Sequence, residues 1–159
     1  MDKAAIKTFA INSRTRLMQD VRDEMYNLGI TENNIADSIS NTKGIQTFQI
    51  SSSETYSIYD EDIKKRDSLV REVKAKGFEN VVEEVSYTWF NRIIAIRFME
   101  VNNYLPTKTR VLSSETPNKI EPDIVTEALD LDLDFSDEDI EKIYDLKDKN
   151  DEDELFKFL

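Results

Sequence analysis

Four acidic residues near the C-terminal end have the spacing of a calcium loop. Asp130, Asp132 and Asp134 alternate with other residues, and Glu141 stands at the twelfth position counted from Asp130, as in an EF-hand. The sixth position, where the sharp turn of that loop needs Gly, is Phe135. We therefore interpret the stretch as a solvated acidic linker that leads into a helix cap, and we assign no metal ligand. A calcium-binding domain is kept as an alternative hypothesis.

Basic side chains at helical spacing are the candidates for contact with nucleic acid. Residues 60–76 combine six basic residues with five acidic ones, a mixture typical of ion pairs on an exposed helix. Two further basic residues, Lys108 and Arg110, lie without a local acidic partner, which makes them the better candidates for binding phosphate groups. The candidate DNA contacts are Lys108, Arg110, Lys64, Lys65 and Arg71.

The composition excludes several kinds of catalytic site. The chain has no Cys and no His, so it has no thiol or imidazole nucleophile and no zinc site of the usual kind. Its three glycines, Gly29, Gly44 and Gly77, are far apart, which excludes a Gly-rich loop for a nucleotide phosphate. We therefore predict no catalytic residue and no bound cofactor in this chain.

The net charge of −12 is concentrated in the last third of the chain. Residues 113–159 contain 5 basic and 17 acidic residues, whereas residues 1–112 contain 16 of each. We predict a helical core domain over 1–112 and an acidic helical extension over 113–159, whose own surface repels DNA. Asn150 followed by the acidic residues 151–154 predicts the start of one more helix, which reaches the mostly apolar residues 156–159 without a stop signal, so we expect a truncation at the C-terminus. No run of eighteen apolar residues occurs, which excludes a membrane span, and the cytoplasm is the default location.

Apolar periodicity predicts a mainly α-helical protein. Residues 3–28 carry one apolar stripe, and Gly29 supplies the left-handed position that commonly follows a helix. Thr31 is predicted to cap a short second helix that carries Ile35 and Ile39.

The rest of the chain is predicted to alternate between helices and one small β element. Apolar residues at two-residue spacing predict a small β-hairpin near 45–58, and a helix is expected to run from a cap at Asp60 to Lys76. Further helices are predicted to start at Pro122, which suits a first helical position, and after Ser136, which is a good N-cap.

Residues 79–105 are predicted to form the central helix of a bundle. They are apolar on nearly every face, and a helix of this kind is normally buried by neighbours on several sides. We expect Trp89 to belong to the core rather than to stack on a base. Arg92 and Arg97 are expected to pair with acidic residues such as Glu83, Glu84 or Glu100, or else to point to the rim of the core, because an unpaired buried charge is costly.

Two stretches of the chain carry a resemblance to a known family. Residues 1–10 (MDKAAIKTFA) and residues 82–106 (VEEVSYTWFNRIIAIRFMEVNNYLP), continued by residues 110–115 (RVLSSE), resemble the N-terminal segment of BREX-type adenine-specific DNA methyltransferases, the PglX family. The resemblance covers nearly all of this chain but only the beginning of the family's length.

The resemblance implies a parent enzyme that transfers a methyl group from S-adenosylmethionine to N6 of adenine in DNA, as part of a phage-defence system. Such enzymes flip the target base out of the duplex. Their Gly-rich cofactor loop and Asn-Pro-Pro-Tyr type motif do not occur in this chain, so no catalytic residue carries over. The implied role is a non-catalytic N-terminal domain that packs on the missing methyltransferase domain and helps to form the DNA cleft. The alternative is a docking module for other defence proteins, with the acidic end as contact surface.

Overall fold

Helices dominate the computed structural model, which describes residues 2–42, 44–52, 54–131 and 133–159. Those ranges contain six α-helices and one three-stranded antiparallel sheet, which confirms the predicted mainly α class with a small β element. The helices are α1 (Lys3–Asn27), α2 (Asp60–Lys76), α3 (Phe78–Val101), α4 (Asp123–Glu127), α5 (Asp137–Asp148) and α6 (Glu152–Phe158). The strands are β1 (Ser38–Thr42), β2 (Ile45–Gln49) and β3 (Thr55–Tyr59).

The residues group into two compact units, Met1–Asn91 and Arg92–Leu159. The predicted domain boundary between residues 112 and 113 stays a prediction. No helix in the described ranges has the length and the apolar character needed to cross a membrane.

Local signals at both ends of α1 explain where this helix starts and stops. The carboxylate of Asp2 accepts hydrogen bonds from the backbone N–H groups of the first turn. At the other end Gly29 has φ of 69°, and its N–H donates to Tyr26 O at 2.8 Å. The next N–H, of the buried Ile30, donates to Met25 O at 2.8 Å, which completes a Schellman motif. The predicted helix and its Gly stop are confirmed.

The helix predicted after Thr31 is wrong. The Thr31 hydroxyl bonds to the backbone of Asn34 in a closed turn, with both Thr31 Oγ1–Asn34 distances at 3.0 Å. The flanking Ile30 and Ile35 pair as an antiparallel bridge. The chain therefore leaves the turn extended, and Ile39 lies exposed on β1.

The predicted hairpin is confirmed as β2 and β3, and β1 adds a third strand in the order β1-β2-β3. Phe48 pairs with Tyr56 in this register, and Phe48 and Ile58 are the buried residues of the sheet. The pairing of β1 with β2 shifts register between Ser38 and Ser40, as in a β-bulge.

The core of the first unit lies between α1, α2 and the first turns of α3. Its buried members are Met25, Ile30, Val73, Val81 and Val82. The predicted bounds of α2 are confirmed, and Gly77 follows the helix with φ of 90°. The capping detail differs, because the N-cap is Tyr59 and its side chain makes no capping bond, whereas Asp60 is already the first helical residue.

The second unit has a smaller core under α4, α5 and α6. Its buried members are Ile124, Val125, Ile143 and Leu155. Ser136 starts α5 with a reciprocal capping box to Asp139, which confirms the predicted N-cap. Pro122 is the N-cap of α4, one residue before the first helical position that we predicted for it.

The predicted burial of the central helix is wrong for α3. Its residues Val81 and Val82 are buried, but Tyr87 and Trp89 are 69% and 51% exposed. Four of the apolar residues that follow are exposed as well, namely Ile93, Ile94, Phe98 and Val101. An all-round apolar helix is buried only where neighbours cover every face, and the elements of this chain cover part of it. The helix also ends earlier than predicted, at Val101, because Asn103 takes the left-handed conformation with φ of 56°.

Candidate functional site

Glu100 fixes the chain that follows α3. Its backbone carbonyl accepts a hydrogen bond from Asn103 N–H at 3.2 Å, at the end of the helix. Its side chain reaches further along the chain, where Oε2 accepts from Val111 N–H at 2.9 Å and from Leu112 N–H at 2.7 Å. Glu100 therefore holds both ends of residues 102–112, which we call the Glu100 loop, a compact loop whose ends lie together.

The carboxylate of Glu100 is buried and accepts four hydrogen bonds. Besides the two from the loop, Oε1 accepts from the Ser113 hydroxyl at 2.7 Å and from the Arg97 guanidinium, which confirms the predicted pairing of Arg97 with Glu100. Burial alone would raise the pKa of this carboxyl group, but the bonds from Leu112, Ser113 and Arg97 outweigh it. The pKa of Glu100 therefore lies below its usual value, and the group is an anion at neutral pH.

Asp123, the first residue of α4, holds the next part of the chain in the same way. Its Oδ1 accepts from the Ser114 hydroxyl at 2.5 Å, and Oδ2 accepts from Glu115 N–H at 2.7 Å. Burial raises the pKa of Asp123, but the bonds from Ser114 and Glu115, with the charge of Lys119 nearby, lower it by more. Two buried carboxylates thus hold residues 111–115, which belong to one of the segments that carry the family resemblance.

The surface of the Glu100 loop combines a cation with exposed aromatic rings. Lys108 is exposed and has φ of 57°, and within the described ranges its ammonium group has no ion-pair partner. The rings of Phe98 and Tyr104 meet edge to face at 6.0 Å between centroids, and both side chains are more than half exposed. No acidic residue occurs in residues 101–114. This arrangement suits contact with an anion that also has an apolar or π surface.

Three of the predicted DNA contacts lie on α2 in the first unit. Lys64, Lys65 and Arg71 are all exposed there. Lys65 pairs with Asp62 at 2.9 Å, and Arg71 donates to the Ser68 hydroxyl at 2.8 Å. These bonds are consistent with the interleaved charges of the helix, and DNA contact by these residues stays a prediction.

The other two predicted contacts follow α3 in the second unit. Arg110 is half-buried, and its Nε lies 3.2 Å from Glu115 Oε1, so the expectation that it lacks a local acidic partner is wrong. A turn of the backbone brings these two residues together across five positions. Lys108 keeps the exposure that contact with a phosphate group requires.

Arg66 belongs to the basic cluster of α2 by sequence but has a structural role. Its side chain is buried, and it donates to two backbone carbonyls, Nε to Leu28 O and Nη2 to Ala36 O, each at 2.8 Å. Its guanidinium lies over the ring of Phe48. Burial lowers the pKa of Arg66, against the raising effect of nearby acidic residues. Sequence reasoning missed this role, because all three partners are distant in the sequence.

An open groove of about 610 Å³ lies between α1 and α3 in the first unit. Its polar groups are already bonded: Arg14 pairs with Glu83, and the Ser86 hydroxyl donates to the carbonyl of Val82 at 2.6 Å in its own helix. Neither arrangement activates a nucleophile. The groove is lined by Ala10, Arg14, Asn80, Glu83, Glu84, Ser86, Tyr87 and Phe90.

The calcium-like acidic stretch leads into the capped start of α5. One of its four acidic residues, Asp132, lies outside the described residues. Among the residues that the structure does describe, no three His, Cys, Asp or Glu side chains are grouped so that they could hold a metal ion.

Comparison with known proteins gives relatives of much greater length. The chain is 42% identical to the adenine-specific methyltransferase PglX of Lacticaseibacillus casei (strain Zhang), over 174 aligned positions that take in 100% of this chain and 14% of that protein. It is 34% identical to the adenine-specific methyltransferase BrxX of Escherichia coli O9:H4 (strain HS), over 76% of this chain and 10% of that protein. No family model matches the chain.

The similarity to PglX therefore runs through the whole chain, including the segments 82–106 and 110–115 that surround Glu100. The chain spans about a seventh of the length of that relative and a tenth of the length of BrxX. By this similarity the chain belongs, as a segment, to the PglX family of adenine-specific methyltransferases.

Proposed function

We propose that this chain is a non-catalytic N-terminal domain of an S-adenosylmethionine-dependent N6-adenine DNA methyltransferase in a BREX-type phage-defence system. In this proposal the cofactor and the catalytic residues belong to the remainder of the polypeptide. The domain packs on the catalytic part and helps to shape the cleft for DNA in the cytoplasm. The identity of 42% to PglX over the whole chain supports this assignment.

The observation that supports the packing role is the set of exposed apolar side chains on α3. Several side chains on this helix are 38–69% exposed although they are of types that usually belong to a protein core, namely Tyr87, Trp89, Ile93, Ile94 and Val101. Trp89 and Ile93 are one turn apart on this helix, and a soluble domain rarely exposes several large apolar side chains on one helix unless another protein surface covers them. Both relatives are about eight times as long as this chain, so the remainder of the same polypeptide offers such a surface.

The charge of the second unit favours one alternative. Residues 113–159 carry 17 acidic and 5 basic residues, and Tyr144 on α5 is 57% exposed among them. A surface of this kind complements a basic partner, which fits a docking module for other proteins of the defence system. The two candidates use different surfaces, α3 in one and α5 in the other, so an experiment can separate them.

Binding of the chain to the separately produced remainder of its methyltransferase tests the proposal. The chain has one tryptophan, Trp89, so fluorotryptophan gives a single fluorine NMR signal from α3. We expect that signal to shift when the remainder is added. Trp89→Ser together with Ile93→Ser is expected to raise the Kd at least tenfold, the effect of losing an interface hot spot. Tyr144→Ser is the matched control and is expected to leave the Kd unchanged.

The opposite pattern would contradict the packing role. If Tyr144→Ser weakens binding and the α3 variants do not, the acidic end is the docking surface. If the fluorine signal never moves, the chain does not pack on the catalytic part through α3.

A further inference from the structure

We infer that the Glu100 loop is a contact site for the sugar-phosphate backbone of DNA, with Lys108 binding a phosphate group and the Phe98–Tyr104 pair lying against the neighbouring nucleotide. The inference rests on the proposed function, because it takes DNA as the ligand. It goes beyond that function by assigning the contact to one loop and by separating Lys108 from the other basic candidates.

The loop is held in a defined shape, which a contact site requires. The Glu100 backbone and side chain hold its two ends, as described above. In its middle Thr109 is 7% exposed, and its hydroxyl donates to Glu127 Oε2 at 3.1 Å. Lys108 precedes this anchored residue, and its own N–H donates to Leu105 O at 3.1 Å. The position of the Lys108 backbone is therefore fixed, and only its side chain has to be ordered when it binds a phosphate.

The charge around the loop favours an anionic ligand despite the acidity of the unit. Two carboxylates contact the loop: that of Glu100, none of whose side chain is exposed, is directed into the protein, and that of Glu127 accepts the hydrogen bond from the Thr109 hydroxyl. The carboxylate of Glu115, the next acidic residue after Glu100 along the chain, pairs with Arg110. Lys108 is an exposed cation in a stretch of sequence, residues 101–114, that contains no acidic residue, and a cation of this kind can contact a phosphate group.

The aromatic pair supplies the second part of the contact. Phe98 is 59% exposed and Tyr104 is 63% exposed, and their edge-to-face contact fixes each ring against the other. An exposed ring can stack on a base or cover a deoxyribose, and the Tyr104 hydroxyl can donate to a phosphate oxygen. The same rings would also suit a protein surface, so the test has to distinguish DNA from the catalytic part.

The α2 candidates are weaker by the same criteria. Lys65 already pairs with Asp62, and Lys64 lies among the acidic residues of the same helix. No exposed aromatic pair accompanies them on α2. Lys64 is therefore the matched control, since it is an exposed lysine on a different element.

The experiment is a heteronuclear NMR titration of the 159-residue chain with a short DNA duplex at low salt. NMR detects the weak binding that is expected for a chain with a net charge of −12. We expect the amide shifts to concentrate at residues 102–112. Lys108→Gln is expected to reduce the slope of log K against log salt concentration by about 1, the effect of losing one phosphate contact. Lys64→Gln is expected to leave that slope unchanged. Tyr104→Leu is expected to weaken the binding of DNA but also to leave the slope unchanged, because it removes no charge.

Two results would overturn the inference. In the first, DNA shifts the amide signals of α2 or leaves those of the Glu100 loop unshifted, and Lys108→Gln has the same slope of log K against log salt concentration as the wild type. The other is a loop whose amides shift when the remainder of the methyltransferase is added but not when DNA is added. In the second case the fluorine signal of Trp89 still moves, so the proposed function survives while this inference fails. If the proposed function itself fails, that signal stays where it is.

Discussion

The guanidinium carbon of Arg66 lies 3.7 Å from the centroid of the Phe48 ring. Phe48 belongs to β2 and Arg66 to α2, so this contact joins the sheet to the helix that follows it. The same guanidinium bonds the carbonyls of Leu28 and Ala36, one at the end of α1 and one before β1. A single side chain therefore connects four parts of the first unit.

Replacing Arg66 by Met should destabilise the chain by about 2–4 kcal/mol, because two charge-assisted hydrogen bonds and one cation–π contact are lost and two carbonyls are left without their donor. Arg71→Met is the control on the same helix. Arg71 is exposed, so its loss should change the free energy of unfolding by no more than about 0.5 kcal/mol. Urea unfolding, followed by circular dichroism, measures the free energy of unfolding of both variants. Equal effects of the two substitutions would mean that the connection through Arg66 adds nothing to stability.

Gly29→Ala and Gly77→Ala should both destabilise the chain, for different reasons. Gly29 has φ of 69°, and a Cβ there would lie 2.9 Å from Cβ of Ala36, so the variant combines backbone strain with a close contact. Gly77 has φ of 90° and ψ of 151°, a region essentially restricted to glycine, but the nearest atom to its Cβ is 3.9 Å away, so backbone strain alone acts there. Urea unfolding measures the free energy of unfolding of each variant. An unchanged stability for Gly29→Ala would contradict the close packing of Gly29 on Ala36.

The stabilising effect of Glu100 should depend on pH. The folded-state pKa lies below the usual value, so the unfolded chain binds a proton first as the pH falls. The carboxylate therefore contributes its full stability above the unfolded pKa of about 4.3, and this contribution is lost as the pH falls through the folded pKa. Glu100→Gln should cost about 2–3 kcal/mol at neutral pH and progressively less in acid.

The measurement is the free energy of unfolding of the wild type and of Glu100→Gln at each pH. The difference between the two removes the effects of the other acidic groups, because both chains share them. Glu83→Gln is the control, since Glu83 is exposed on the same helix, and it should cost much less at neutral pH. A difference between wild type and Glu100→Gln that stays constant from neutral to acid pH would show that the charge of Glu100 has no part in holding the loop.

Trp89→Ala should have a small effect on the stability of the chain alone, less than about 1.5 kcal/mol, because half of the side chain is already exposed. This corrects the expectation from the sequence that Trp89 belongs to the core. Met25→Ala is the comparison, and the loss of this buried side chain should cost about 2–5 kcal/mol. Thermal unfolding of each variant measures its loss of stability relative to the wild type. A loss for Trp89→Ala as large as that for Met25→Ala would mean that α3 is covered in the chain alone.

Local signals made the helix bounds predictable. Gly29 and Gly77 mark the ends of α1 and α2, and Ser136 caps α5, because each acts through bonds to residues a few positions away. Strand β1 was missed because its residues are all exposed, so no apolar alternation records it. Its position depends on pairing with β2, which is a property of the sheet and not of the strand's own sequence.

The candidate site was predictable only in part. The pairing of Arg97 with Glu100 follows from a helix turn and from the cost of an unpaired buried charge. The bonds from Glu100 to Val111 and Leu112 depend on the path of the whole loop, which no local pattern specifies. The exposed face of α3 could not be predicted either. The apolar pattern shows that a face is suited to burial, but it does not say whether this chain or another surface covers it.

The register shift in β1 affects how the chain behaves at high concentration. A flat outer strand offers unpaired N–H and C=O groups to another chain and can start aggregation. In β1 the irregular pairing between Ser38 and Ser40 interrupts that row, and the Ser38 hydroxyl donates to Ser40 O at 2.7 Å, which gives one backbone acceptor of the strand a partner within the strand. Every residue of the strand is exposed, and four of the five are Ser, Asn or Thr, so it offers little apolar surface for a second sheet. This edge is therefore a poor template for intermolecular β-sheet, and the chain should resist fibril formation through it.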